Sequence, residues 1–154
     1  MKVAIIGHRN IEESQALNDR LMKTITDLIV KEGADTFHFG SKGQFNGLCY
    51  DAVSELRRIY DVSRVYVRAE YCYIDQRYEN YLLTYYEDTF YSAKVHPGPL
   101  AYIERNQVLV DMCDVVLTYY DVNYTLPDGK TSGTKTAIEY AIRKNKLVIN
   151  LFEG

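Results

Sequence analysis

Short apolar runs alternate with amphipathic stretches along this chain, and that alternation limits the possible folds more than any other feature. Val3-Ala4-Ile5-Ile6 is an unbroken apolar run, the pattern of a strand covered on both faces. From Ile11 to Glu32, the residues Leu17, Leu21, Ile25, Leu28 and Ile29 recur at helical spacing. Asn10, with Glu13 three residues on, is the expected N-cap of that helix, and Gly33 its expected stop. A strand follows at Thr36–Phe39. The next helix starts at about Asn46 and carries Leu48, Ala52, Val53, Leu56 and Ile59 on its core face, before a third strand at Val65–Val67. A helix over Leu100–Cys113, with Ile103, Leu109, Val110 and Met112 as core contacts, precedes a strand at Val115–Tyr119. The last helix opens at Ser132, with Ala137, Ile138, Ala141 and Ile142 on its buried face, and a last strand spans Leu147–Leu151.

Strand and helix in this order mean a parallel sheet wrapped by helices. The expected fold class is α/β, a Rossmann-like three-layer sandwich on a mainly parallel five-stranded sheet in the order 3-2-1-4-5. Residues 1–154 are expected to form a single domain. Residues 70–99 form a Tyr-rich helical insertion within it, with Tyr71, Tyr73, Tyr78, Tyr81, Tyr85, Tyr86 and Tyr91 interleaved with acids. Either that insertion is an amphipathic helix or lid that turns tyrosines outward, or it is a stacking wall for a base. Right-handed crossovers put every strand-to-helix loop on one edge of the sheet, where open α/β sheets bind ligands. Gly7-His8-Arg9, Gly40-Ser41-Lys42-Gly43 and Ser132-Gly133-Thr134 are therefore expected along one rim.

A net charge of -3 and a pI near 5.6 argue against a general nucleic-acid binder, so the expected partner is a small nucleotide-like ligand and no long nucleic acid. Val3 to Ile6 is too short for a signal-peptide core, and no run has membrane-spanning length. A cytoplasmic protein with no membrane partner is expected. Cys49, Cys72 and Cys113 lack any CxxC spacing and read as buried reduced thiols. No metal site is expected. GxxxxGK[ST] and GxGxxG are both absent, so nothing points to NAD or FAD, and no cofactor is expected.

The rim residues suit an anion. Ser132, Thr134 and Thr136 can cap the free N–H groups that open the last helix, and Gly133 leaves room at its positive end. Arg9 offers a forked donor suited to phosphate and Gly7 a close backbone approach, unless this is a tight turn with a solvent-facing arginine. His8 is either a general acid or base or a hydrogen-bonded structural residue. Gly40, Ser41 and Gly43 read as an anion nest or as a plain turn. Glu139 has Lys135 and Arg143 at ion-pair spacing. Paired instead with Arg105, which Asn106 follows, it would serve N-glycosidic cleavage: the arginine holds phosphate and the carboxylate stabilises the departing sugar.

Ser132-Gly133-Thr134-Lys135-Thr136-Ala137-Ile138-Glu139 resembles the P-G-G-x-G-T-x-x-E motif of the LOG phosphoribohydrolases, which remove ribose 5′-phosphate from cytokinin precursors. Arg105-Asn106-Gln107-Val108-Leu109 falls where that family has an Arg-Lys-x-x-Met helix. A nearer resemblance is to the YpsA-like branch of the SLOG superfamily. It rests on Gly7-His8-Arg9-Asn10, the turn from Phe39 to Phe45, Arg105-Asn106 and Thr136-x-x-Glu139-Tyr140-Ala141. This resemblance implies a Rossmann-like, nucleotide-binding homodimer, and the LOG motif implies that Arg105 and Glu139 are catalytic. The chain departs from the LOG pattern at Thr131-Ser132-Gly133, at Lys135 in place of the third glycine, and at Asn106 in place of lysine. Nucleoside deoxyribosyltransferases offer a second, less well-spaced analogy. Three functions stay open: binding of a nucleotide-derived ligand, phosphoribohydrolase activity, and a ligand-gated sensor or adaptor without catalysis.

Overall fold

The computed structural model describes residues 1–69, 75–91, 96–126, 128–129 and 132–153. Among them are six strands: β1 (Lys2–Gly7), β2 (Thr36–Phe39), β3 (Ser63–Arg68), β4 (Asp88–Tyr91), β5 (Val115–Tyr119) and β6 (Leu147–Asn150). The helices are α1 (Gln15–Glu32), α2 (Gln44–Leu56), α3 (Gln76–Tyr85), α4 (Pro99–Met112) and α5 (Gly133–Arg143). All strand pairs are parallel and the sheet order is β4-β3-β2-β1-β5-β6. The fold is Rossmann-like. The five strands expected from sequence keep their relative order, and the correction is a sixth, β4, added at the edge beside β3.

Side-chain alternation on the central strand divides the core between the two faces of the sheet. Val3 and Ile5 join α1, α2 and Leu82 of α3 in one cluster. Ala4 and Ile6 join Leu109 and Val110 of α4 and Ala137, Ile138 and Ala141 of α5 in the other. Sequence order across the sheet reverses between β1 and β5, whose ends pair Gly7 with Tyr119. A crevice opens at that point in folds of this kind.

Residues 70–99, expected as a helical insertion, contain α3 and then β4, with 70–74 and 92–95 outside the described residues. Tyr71, Cys72 and Tyr73 are among those residues, and Thr131, in the loop before α5, also lies outside the described residues. An ion pair fastens β4. Arg64 Nε and Nη2 donate to Glu87 at 3.0 and 2.7 Å, and the Arg64 backbone N–H adds a bond of 2.9 Å. Tyr86 packs its ring against Phe39, Tyr50 and Tyr66.

The start of α1 also departs from expectation. Its N-cap is Ser14, whose hydroxyl accepts from the Leu17 N–H at 3.1 Å, and not Asn10. The Ile11 N–H is committed to Gln44 Oε1 at 2.8 Å, which keeps this stretch out of the helix. Gly33 stops α1 as expected, in the left-handed region at φ 74°. Ile59 lies beyond α2 and is 73% exposed, while Ile103 and Ile142 also face outward. Cys49 and Cys113 are buried thiols, and burial raises the Cys113 pKa to about 12. No helix among the described residues is long and apolar enough to cross a membrane.

Candidate functional site

Two loops at the rim are fastened backbone to backbone. The Ser41 hydroxyl accepts from the Gly43 N–H at 3.1 Å, a turn that brings Gly43 against the first loop. A Cβ on Gly43 would lie 2.7 Å from the Arg9 Cα. Beside this contact the Gln44 N–H donates to the Arg9 carbonyl at 2.8 Å. A third loop rests on His8. The Asp121 N–H donates to His8 Nε2 at 2.9 Å, and the Tyr124 ring stacks on the imidazole with centroids 3.9 Å apart. Because Nε2 accepts, the neutral ring carries its proton on Nδ1. His8 is 2% exposed, and burial lowers its pKa against the smaller opposing effects of Asp121. The bond and the stack hold the Asp121–Tyr124 turn against the ring, and His8 also lines the cavity that these loops enclose.

These loops, α4 and the start of α5 enclose a cavity of about 200 Å³. Gly7, His8, Arg9, Gly40, Ser41, Arg105, Asn106, Ser132, Gly133 and Thr134 all line it. Three expected residues do not. Gly43 is buried behind the loop contact just described. Thr136 borders a small crevice between α4 and α5, and its hydroxyl donates to the Ser132 carbonyl at 3.3 Å. Glu139 is exposed on α5 and lines neither this cavity nor the one beside it, so the expected pairing with Arg105 is corrected. Arg143, one of the two partners that spacing suggested, lies over the Tyr140 ring at 5.8 Å. The physical reason is helix phase: Ala137, Ile138 and Ala141 take the inward face, which turns Glu139 out.

At α5 the helix opening is free for a guest. Ser132 caps it by accepting from the Lys135 N–H at 3.0 Å. The N–H groups of Gly133 and Thr134 are left without a hydrogen bond among the described residues. Only Asn106 Nδ2, at 3.8 Å, would neighbour a Cβ on Gly133. The space at this positive end is open.

Arg105 is 8% exposed and forms no ion pair among the described residues. Its Nε donates to Asn106 Oδ1 at 2.9 Å, and its guanidinium lies 5.6 Å from the Tyr102 ring centroid. Burial pushes its pKa below the ordinary arginine value, yet a guanidinium stays charged. Gly40 makes its place: a Cβ there would sit 2.7 Å from Arg105 Cδ and 2.8 Å from Leu109 Cδ1. A second cavity of about 350 Å³ adjoins the first and shares Arg9, Gly40, Ser41, Tyr102 and Arg105 with it. Arg9, Lys42, Tyr66, Ala69, Tyr78 and Tyr102 contribute to its wall. Neither cavity is lined by a carboxylate among the described residues.

Sequence reasoning missed Asn46, Tyr102, Tyr124 and Leu126 in the first cavity and Tyr66 in the second. Tyr102 stands three residues before Arg105, on the same helix face, and that spacing was a usable signal. Asn46 is a buried polar residue in the first turn of α2, and its Oδ1 has no partner among the described residues. Tyr124 shows itself only through the stack on His8.

No family model and no curated protein matches this chain. A solved structure of DNA processing protein A from Helicobacter pylori, described as binding single-stranded DNA, matches with a TM-score of 0.61 and 16% identity. The match covers 96% of this chain and 63% of that one, so the chain spans less than two thirds of its neighbour. The likeness is one of fold. It overturns the expectation that excluded a long nucleic acid, because a protein of this fold is described with such a partner. The physical flaw in that expectation was its use of net charge: a total of -3 does not describe a rim whose cavities are lined by Arg9, Lys42 and Arg105.

Proposed function

We propose that the rim binds the phosphate-bearing part of a nucleotide, seated between Arg105 and the first turn of α5. The observation that carries this reading is a buried guanidinium with no carboxylate beside it among the described residues. Burying a cation costs free energy that a paired anion offsets, and here the anion is left to the ligand. The open helix end at Gly133 supplies backbone donors for the same group. The resemblance to the SLOG group points the same way and carries with it a homodimer, which light scattering tests.

A nucleotide within a single strand is the second reading of this same phosphate site, favoured by the DNA-binding neighbour of like fold. Phosphoribohydrolase chemistry has less support, since Glu139 stands outside the cavity and no other carboxylate among the described residues replaces it. Titration calorimetry with nucleoside monophosphates, ADP-ribose and a short oligothymidylate tests the proposal. Arg105→Met weakens binding by about 10–100-fold, the value of a charge-assisted hydrogen bond. Gly133→Trp fills the open space and abolishes binding. No binding across the panel, or binding indifferent to both substitutions, overturns the phosphate site.

A further inference from the structure

Aromatic rings, and not carboxylates, hold two of the three cations at the rim. The Arg105 guanidinium lies on Tyr102. Lys42 Nζ lies 5.3 Å from the Tyr78 centroid and 5.6 Å from that of Tyr81. Those two rings are near parallel, 14° apart with centroids 6.4 Å apart, and the ammonium lies beside the pair. Arg64 shows the contrasting arrangement. It too lies over a ring, Tyr50 at 5.0 Å, but Glu87 neutralises it at 2.7 Å within the β4 tether. A ring attracts a cation through its quadrupole and leaves the positive charge uncancelled, whereas a carboxylate cancels it. Among the described residues, Arg9, Lys42 and Arg105 form no ion pair. The second cavity therefore faces three positive charges and, among the described residues, no carboxylate, in a chain whose net charge is -3.

We infer that the second cavity is a second phosphoryl subsite, so that the ligand carries two phosphoryl groups, both within reach of the Arg105 side chain that the two cavities share. One lies at the opening of α5, and the other between Arg105, Lys42 and Arg9. The inference rests on the phosphate reading of the first cavity. Tyr78 and Tyr81 are positioning residues that hold Lys42 toward the second group, which gives part of the Tyr-rich segment a purpose. Two phosphoryl groups can come from a nucleoside diphosphate or from successive phosphates of a strand.

Binding of AMP, ADP, pdT and pdTpdT to the full chain tests the inference. The two-phosphoryl ligand of each pair binds about tenfold tighter than its one-phosphoryl counterpart, as one added charge-assisted contact requires. In Lys42→Met that ratio falls to near one. Replacing Tyr78 and Tyr81 together by Leu lowers the ratio, and replacing both by Phe keeps it, a rescue that general destabilisation would not produce. The larger ratio for ADP over AMP assigns a small nucleotide as the source, and the larger ratio for pdTpdT over pdT assigns a strand. Equal affinities in each pair, or a ratio untouched by Lys42→Met, overturn the subsite while Arg105-dependent AMP binding still stands. If no ligand binds at all, the phosphate reading falls too.

Discussion

Phe45, from the first turn of α2, occupies the space that a side chain at position 7 would need; a Cβ there would collide with its ring. Gly7→Ala therefore overpacks the end of β1 and destabilises the protein by about 1–3 kcal/mol. Phe45→Leu in the same background restores part of that loss, and a double-mutant cycle by chemical denaturation measures the coupling. Additive effects would show that the ring does not press on Gly7. Position by position, the candidate site was largely legible. Of the ten expected residues on one cavity wall, eight come from the strand-to-helix loops at Gly7, Gly40 and Ser132, and Arg105 and Asn106 come from α4. What approaches each glycine was not legible, because Phe45, Arg105 and Arg9 come from distant parts of the chain. Gly7, Gly40 and Gly43 read as room for a ligand, and the structure fills that room with protein.

At the scale of elements, β4 shows where pattern reading stops. Asp88-Thr89-Phe90-Tyr91 has only four residues, lies at an edge and buries little, so it has no apolar run to announce it. Its anchor is electrostatic: Arg64 grips Glu87 one residue before the strand begins. Glu87→Gln keeps the shape and removes the charge. Hydrogen exchange of the β4 amides should then quicken by about tenfold or more, while β1 and β5 keep their rates. Uniform acceleration throughout the sheet would mean that β4 opens only with the whole fold. By contrast, the five apolar strands, the Gly33 stop and the Ser132 cap were readable, because each depends on residues within a few positions. The start of α1 was not, since Gln44 of another loop decides it.

For the whole molecule, two buried imidazoles set the response to acid. Burial lowers the pKa of both His8 and His38. Below the ordinary histidine value of about 6.5 the unfolded chain takes up protons that the folded chain refuses, so stability falls as pH falls. Burial penalises the Glu87 carboxylate, but its bonds to Arg64 outweigh this and hold the pKa low, so Glu87 acts only at more acid pH. Urea midpoints should drop between pH 7.5 and 5.5, and a variant with His8→Gln and His38→Gln should show a flatter profile. A flat profile in the wild type would mean that neither ring resists protonation. The glycines of the rim carry a different consequence for any saturating library of the chain. A screen that rewards only correct folding would demand glycine at 7 and 43 as strictly as a screen that rewards capture of a ligand. At position 133, where a methyl group would meet almost nothing, the two screens would part, and their disagreement there would separate function from architecture.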